Sequence, residues 1–397
     1  YLKKEPAKHG SILALTGNRA ELRFPAAQIL KWAKKSPDEY DRTDHIFLLS
    51  AFLTSIIAGK VAPVDTGDGW GTNLNTLDIS RPGWSDAVLK VADEYLVNRN
   101  SSQSLRGKLG EMVHYDTVLG PLCSYFVRRY GVSPGAVVLA GTGDNPATLL
   151  GCGGQTVVSL GSSYTVNGQM KKIIPSKSGE YNVFGYTPGN AMALTVFTNG
   201  AKLHEFFLDK YLPKRTLGNE ADDRWEAYVS VAGQAILRED EPLMLPYLRD
   251  ESVPLRPSGI LRDDFDDRDA RVNIRSLHIS QVLSLKLHSN HLGRTATLCV
   301  VGGASRNRFL RQLVADVFKS NTYNISHADF AAALGCAISG ARALLNIPYE
   351  KATSRFVQID RASSTSPLEA NCHPIRTLLR RYEALEKGAD IQRKHKT

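Results

Sequence analysis

Between Gly131 and Met170 the chain carries one formally charged side chain in forty residues, Asp144. It lies in Gly141-Thr142-Gly143-Asp144-Asn145-Pro146-Ala147, just after Ala136-Val137-Val138-Leu139-Ala140, a branched run that reads as a buried strand. A lone carboxylate at a strand end sits where α/β proteins place ligand chemistry. Apolar neighbours would raise its pKa and suit a general base that takes a proton from an alcohol. The same carboxylate could cap the following helix, with Pro146 in its first turn, and the two roles can coexist. A Rossmann loop is excluded here. Pro146 occupies the third glycine position, and no acid between Asn145 and Met170 could bind a ribose.

Two further turns have the makings of anion sites. Gly161-Ser162-Ser163 joins the strand candidates Thr156–Leu160 and Tyr164–Val166 and offers backbone N–H groups and hydroxyls to phosphate oxygens. An ordinary hairpin turn is the alternative. Gly302-Gly303-Ala304-Ser305-Arg306-Asn307 follows a buried strand, Ala296–Val301. Two glycines there admit a flat ligand close to the backbone, and the next helix N-terminus favours negative charge. A packing turn is the alternative.

These residues must be held by an α/β framework. Helical spacing covers Ala26–Trp32 after Phe24-Pro25, Val118–Tyr130 up to Gly131, Ala201–Tyr211, Ser276–Leu292, Arg306–Phe318 and Phe330–Leu345. Thr322–Ile325 is a further strand, and Ile46–Ile57 is either a strand or a buried helix. Alternating strands and helices imply partly parallel sheets. At 397 residues, 42% hydrophobic and 22% charged, the chain suits two ordinary domains and excludes wholesale disorder. Gly 32 and Pro 18 are near average usage and exclude collagen-like classes. The charge-free apolar stretch Ile46–Gly59 is too short to span a bilayer, and Tyr1-Leu2-Lys3-Lys4-Glu5 opens no signal peptide, so cytoplasmic location without a membrane partner is expected.

Lys+Arg 49 against Asp+Glu 40 leaves +9, spread widely. The densest basic run, Arg376–Thr397, reads as a solvated helix with a frayed end, and no nucleic-acid partner is expected. Five cysteines without a CxxC pair point to buried thiols in a reducing compartment. Arg262–Asp269 lacks the glycine and distal glutamate of an EF-hand and reads as a solvated loop. Asp65-Thr66-Gly67-Asp68 reads as a structural turn near the ligand, with no metal.

Together the motifs resemble the FGGY family of carbohydrate kinases, in its eukaryotic xylulokinase branch. Thr16–Phe24 is similar to the family's TGSRAxxRF, Asp65–Leu74 (DTGDGWGTNL) to DxSDGSGMNL, and Gly141–Ala147 to TGDNPAS. Ser159–Ser163 is similar to SLGTS and Gly302–Asn307 to GGASxN. The resemblance implies an actin/Hsp70/hexokinase-like, ribonuclease H-like two-lobed α/β fold. It implies the remainder of a sugar-binding lobe over residues 1–153, a nucleotide lobe over 154–346 and a basic helical tail over 347–397. The implied reaction is phosphoryl transfer from ATP, with Mg2+ carried by the nucleotide, to the 5-hydroxyl of D-xylulose.

By the same resemblance Asp144 is the base, and Arg23, Asp144 and Asn145 hold the sugar. Gly161, Ser162, Ser163, Trp225, Gly302, Gly303, Ala304 and Asn307 contact ATP, with a core position as the alternative for Trp225. The family's first phosphate hairpin, D-x-G-T, and a QQHGS-like sugar loop are not found in these residues. With no Met at position 1, a piece of a longer product is expected. A sugar- or nucleotide-binding protein without kinase activity, a kinase for another polyol such as ribulose, and assembly as a homodimer stay open.

Overall fold

The computed structural model describes residues 11–97, 103–213 and 221–394. The opening Tyr1–Glu5 and the end of the basic run, His395, Lys396 and Thr397, lie outside the described residues. The chain forms two compact units, each assembled from separate stretches. Among the described residues, one comprises those within 11–154, 168–194 and 330–357, the other those within 155–167, 195–329 and 358–394.

In the first unit, the helix Pro25–Lys35 starts with Pro at a position whose missing N–H costs nothing. Its Ala26, Ile29, Leu30 and Ala33 recur at helical spacing and bury against Tyr40, Leu74, Val88 and Leu89. Ile46–Ile57 resolves into the helix Leu49–Ala58, closed by Gly59 at φ 67°. That helix buries Ala51 and Thr54 but turns Leu49, Phe52, Leu53 and Ile56 outward. The helix expected from Val118 begins later. Val118–Pro121 is a strand, and Ser124–Tyr130 is the helix. Gly120 at φ 125° and Pro121, which has no N–H to donate, break the helical run. The strand pairs antiparallel with Val137–Leu139. The latter is an edge pair rather than a buried core strand, with only Val138 turned inward.

The helix Asp144–Gly151 packs on Ala331–Leu345 at backbone contact. A Cβ on Gly335 would run into the Ala147 carbonyl, and one on Gly151 into that of Ala331. Ala328–Leu345 is apolar and long enough to cross a bilayer, despite Asp329 and Arg342. The two glycines explain its use here as a packed partner. Gly335→Ala is expected to cost about 3 kcal/mol by overpacking, read as a lower urea midpoint at unchanged slope. A midpoint equal to wild type would contradict this contact.

The second unit contains a sheet ordered Ile359–Thr365, Asn321–Ile325, Thr297–Val301, Thr156–Leu160, then the strand opening at Tyr164. Thr297–Val301 runs parallel to both neighbours, with Val300 opposite Val158 and Leu298 opposite Thr322. The helix Arg308–Phe318 makes the crossover between parallel strands, burying Leu310, Leu313, Val314 and Val317. Ala270–Leu287 is capped by Asp269, which accepts from Val272 N at 3.1 Å, and it is buried along most of its length. It ends before the expected Leu292, in a separate turn, Asn290–Leu292.

The basic run belongs to the helix Cys372–Lys394, which is not simply solvated. Ile375, Leu378 and Tyr382 enter the core beside Leu283 and Val314. Arg376, Arg380 and Lys387 are exposed while Glu386 is buried beside His288, so net charge alone hid an amphipathic helix. Among the cysteines, Cys152 and Cys299 are buried as expected, whereas Cys336 is exposed. In Arg262–Asp269, Arg268 pairs with Asp266 and Lys210 with Asp267, all on the surface.

Candidate active site

In the first unit, the strand Val64–Asp65 lies parallel to Met112–Val113 and delivers a fully buried Asp65. Its carboxylate caps the turn Thr66–Gly69, accepting from Gly67 N at 2.7 Å and Asp68 N at 3.0 Å. A third donor comes from the Asp144 loop, where Thr142 Oγ1 donates to Asp65 Oδ2 at 2.6 Å. Asp68 accepts from Ser50 Oγ. Its Oδ1 lies where a Cβ on Gly143 would stand, so a larger residue there would displace the Asp68 carboxylate. Burial and the neighbouring Asp68 charge push the Asp65 carboxyl up to about 7. Asp68 is also raised, by burial and by repulsion from Asp144, against the lowering effect of Ser50.

Asp144 opens the helix Asp144–Gly151, with Gly143 as N-cap and no side-chain cap. The carboxylate therefore does not serve the helix as a capping acceptor. It is exposed, not shielded by the apolar run around it, because those apolar residues turn into the helix packing while position 144 faces out. Asn145 Nδ2 donates to Asp144 Oδ1 at 2.9 Å, which fixes one oxygen. A carboxylate so held, at a helix N-terminus and open to solvent, can accept a proton from an approaching hydroxyl. Among the described residues, no three His, Cys, Asp or Glu side chains form a metal-holding group.

Arg23 is exposed, with its guanidinium 5.6 Å from the Phe24 ring centre. It borders a mainly apolar cavity of about 250 Å³ with Gln28, Ile29, Phe47, Trp84 and Leu109. Asp144 and Asn145 do not line that cavity.

In the second unit, Ser162 and Ser163 are exposed at the tip between two neighbouring strands. They border a cavity of about 400 Å³ whose lining also includes Thr198 and Asn199, the cations Lys202 and Arg249, and the carboxylates Glu205 and Asp209. Gly302, at φ 91°, packs against this turn: a Cβ there would meet the Leu160 carbonyl carbon at 2.6 Å and Gly161 N at 2.9 Å. Gly303 faces open space, with nothing within 4 Å of a would-be Cβ, which suits a flat ligand against the chain. Ala304 lies in the turn Gly303–Arg306. Asn307 is buried and caps the helix Arg308–Phe318, its Oδ1 accepting from Phe309 N and Leu310 N. Trp225 is 38% exposed on the helix Ala221–Val231, so it is not a core tryptophan. Its ring stands edge-on to Tyr228 at 5.5 Å.

Known proteins resemble this chain in sequence and fold. Residues 156–344 match the model of the C-terminal domain of the FGGY family of carbohydrate kinases. Xylulose kinase of Mus musculus is 30% identical over 393 residues, covering 95% of this chain and 67% of that protein. The chain belongs to the FGGY family of carbohydrate kinases. Its fold is the α/β fold of FGGY kinases. A gluconate kinase from Lactobacillus acidophilus superposes with TM-score 0.81 at 16% identity, covering 98% of this chain and 77% of that one. A xylulose kinase from the same organism superposes with TM-score 0.79 at 17% identity and the same coverage. This FGGY chain is thus shorter than its relatives, spanning about two thirds of the mouse protein.

FGGY kinases use ATP, and in this chain hydrogen bonds join motifs that are far apart in sequence. Asn18 donates to Trp70 O at 3.0 Å and Val183 O at 2.8 Å, and accepts from Val183 N at 2.7 Å. Asn73 donates to Thr16 Oγ1 at 3.2 Å and accepts from Glu21 N. The TGNRA and DTGDGWGTN motifs are therefore one packed piece. Sequence reasoning missed Ser50 and Thr142, and did not connect the Asp65 turn to the Asp144 loop. An Asp at the strand end before Thr-Gly was the available signal for a cap. Its partner, 77 residues away, left no local trace.

Proposed function

We propose that this FGGY kinase transfers the terminal phosphoryl group of ATP to the 5-hydroxyl of D-xylulose, with Asp144 as general base. The observation that carries the reading is the exposed Asp144 carboxylate, one oxygen held by Asn145, in a chain 30% identical along its length to a xylulose kinase. Asn145 and Arg23 are assigned to the sugar. Gly161, Ser162 and Ser163 are assigned to phosphates, and Gly302, Gly303, Ala304, Asn307 and Trp225 to the adenosine. Lys202 and Arg249 are assigned to the phosphate side, where Glu205 and Asp209 line the same cavity. Mg2+ would arrive with the nucleotide and offset charge on its phosphates. The chain's own part is to position the hydroxyl, take its proton and hold the nucleotide, which is most of what phosphoryl transfer asks of a protein.

A coupled ADP assay on the natural gene product tests this reading with D-xylulose, ribulose, gluconate and glycerol. kcat/KM is expected to be at least about tenfold higher for D-xylulose, a margin of about 1.4 kcal/mol. ADP release that is indifferent to sugar would overturn the kinase reading. Preference for another polyol would overturn the substrate. ADP binding with no phosphorylated product would favour a binding protein on the same fold.

A further inference from the structure

The second unit buries two histidines that the proposed chemistry does not use. His278 and His204 are essentially inaccessible, with ring centres 4.7 Å apart. His278 Nδ1 lies 2.7 Å from Ile274 O, an acceptor, so Nδ1 carries the proton and Nε2 accepts. That acceptor receives Asn307 Nδ2 at 3.0 Å. Asn307 is thereby committed on both sides, to the cap of Arg308–Phe318 and to His278.

The second ring reaches the other loop. His204 Nε2 lies 2.8 Å from Gln281 Oε1 and 2.9 Å from the hydroxyl of Tyr164, the residue after Ser163. Gln281 Nε2 donates to Asn199 O at 3.0 Å and Gly200 O at 3.2 Å, so its Oε1 is the acceptor and His204 is protonated on Nε2. Gly200 lies directly against Ser162 and Ser163, within 2.8 Å for a would-be Cβ, and Ala201 N donates to Gly161 O at 2.9 Å. Tyr228 packs on both imidazoles, at 5.3 Å from His278 and 5.9 Å from His204, and also meets Trp225 edge-on.

We propose that His278, His204 and Gln281 form a neutral buried bridge that sets the spacing between the Gly302–Asn307 and Gly161–Ser163 loops, and so positions the nucleotide. This inference rests on the assignment of those loops to ATP. The histidines are positioning residues, acting through Asn307 and Gly200. Burial pushes His204 down to about 4 and His278 well down, the latter also by its neighbour His204, in keeping with two uncharged rings. A satisfied buried network of this kind fixes one arrangement, because each unpaired group inside would be costly.

The test compares His278→Leu, which removes the acceptor, with His278→Gln, whose amide oxygen can stand near the lost Nε2. ADP affinity is measured by calorimetry, and amide hydrogen exchange is measured without ligand. His278→Leu is expected to weaken ADP binding about tenfold and to raise exchange at Leu310 and Ala201 together, while KM for sugar stays within twofold. His278→Gln should restore both readouts. Gln281→Met cuts the bridge at its far end with both rings kept, and carries the test should His278→Leu fail to fold. Unchanged ADP affinity in folded His278→Leu or Gln281→Met overturns the proposal, whatever their melting temperatures. Wild-type protein that binds no ADP would overturn the nucleotide assignment, whereas exchange that rises at only one of Leu310 and Ala201, or at neither, in folded His278→Leu would separately overturn the bridge.

Discussion

Asp144→Asn will lower sugar-dependent turnover about a thousandfold and leave ADP affinity within twofold. Asparagine has the same shape and can still accept from Asn145 Nδ2, so the loop geometry should survive. What disappears is the capacity to take the hydroxyl proton as transfer proceeds. General bases contribute about 10²–10⁴-fold, and the loss should fall on kcat because the interaction matures in the transition state. A variant retaining a tenth or more of wild-type turnover would remove Asp144 from this role. A parallel loss of ADP affinity would instead mark it as a nucleotide contact.

Asp65→Ala is expected to destabilise the protein by about 2–4 kcal/mol at pH 5, because Gly67 N, Asp68 N and Thr142 Oγ1 would lose a buried acceptor together. The effect should depend on pH. The Asp65 carboxyl is raised from 3.8 to about 7 by burial and by Asp68, so between these values the native state binds more protons than the unfolded chain. Stability contributed by Asp65 is thus fully present below about pH 4 and is lost as pH rises through 7. Urea unfolding of wild type and variant from pH 4.5 to 8 should show a gap that narrows with rising pH. A gap that widens would contradict the assigned direction, and a difference under about 0.5 kcal/mol throughout would contradict the cap.

Much of the framework was legible because its signals are local. Thr156–Leu160 and Thr297–Val301 are short branched runs between turns, and both form strands as expected. Asp144 stood out by charge alone. The rest depended on partners distant in sequence. The exposure of Asp144 follows from which face of its helix meets Gly335, nearly two hundred residues on. The buried stripe of Cys372–Lys394 was masked by its basic surface, though Ile375, Leu378 and Tyr382 already recur at helical spacing. In Val118–Tyr130, hydrophobic period outweighed Gly120-Pro121, and the glycine-proline pair governed the chain. His278 and His204 fall in the helical runs Ser276–Leu292 and Ala201–Tyr211, where no spacing or neighbour marks them. Only the packed helix Ala270–Leu287 brings one of them to Asn307 and, through Gln281, the other to the turn beside Ser163.

Phosphorus NMR on the natural gene product, incubated with Mg-ATP and D-xylulose, tests the central claim most directly. A sugar phosphomonoester signal coupled to C5 should grow in step with ADP and be nearly absent with Asp144→Asn. The same ADP yield with and without sugar, or equal phosphoester from the Asn variant, would contradict it.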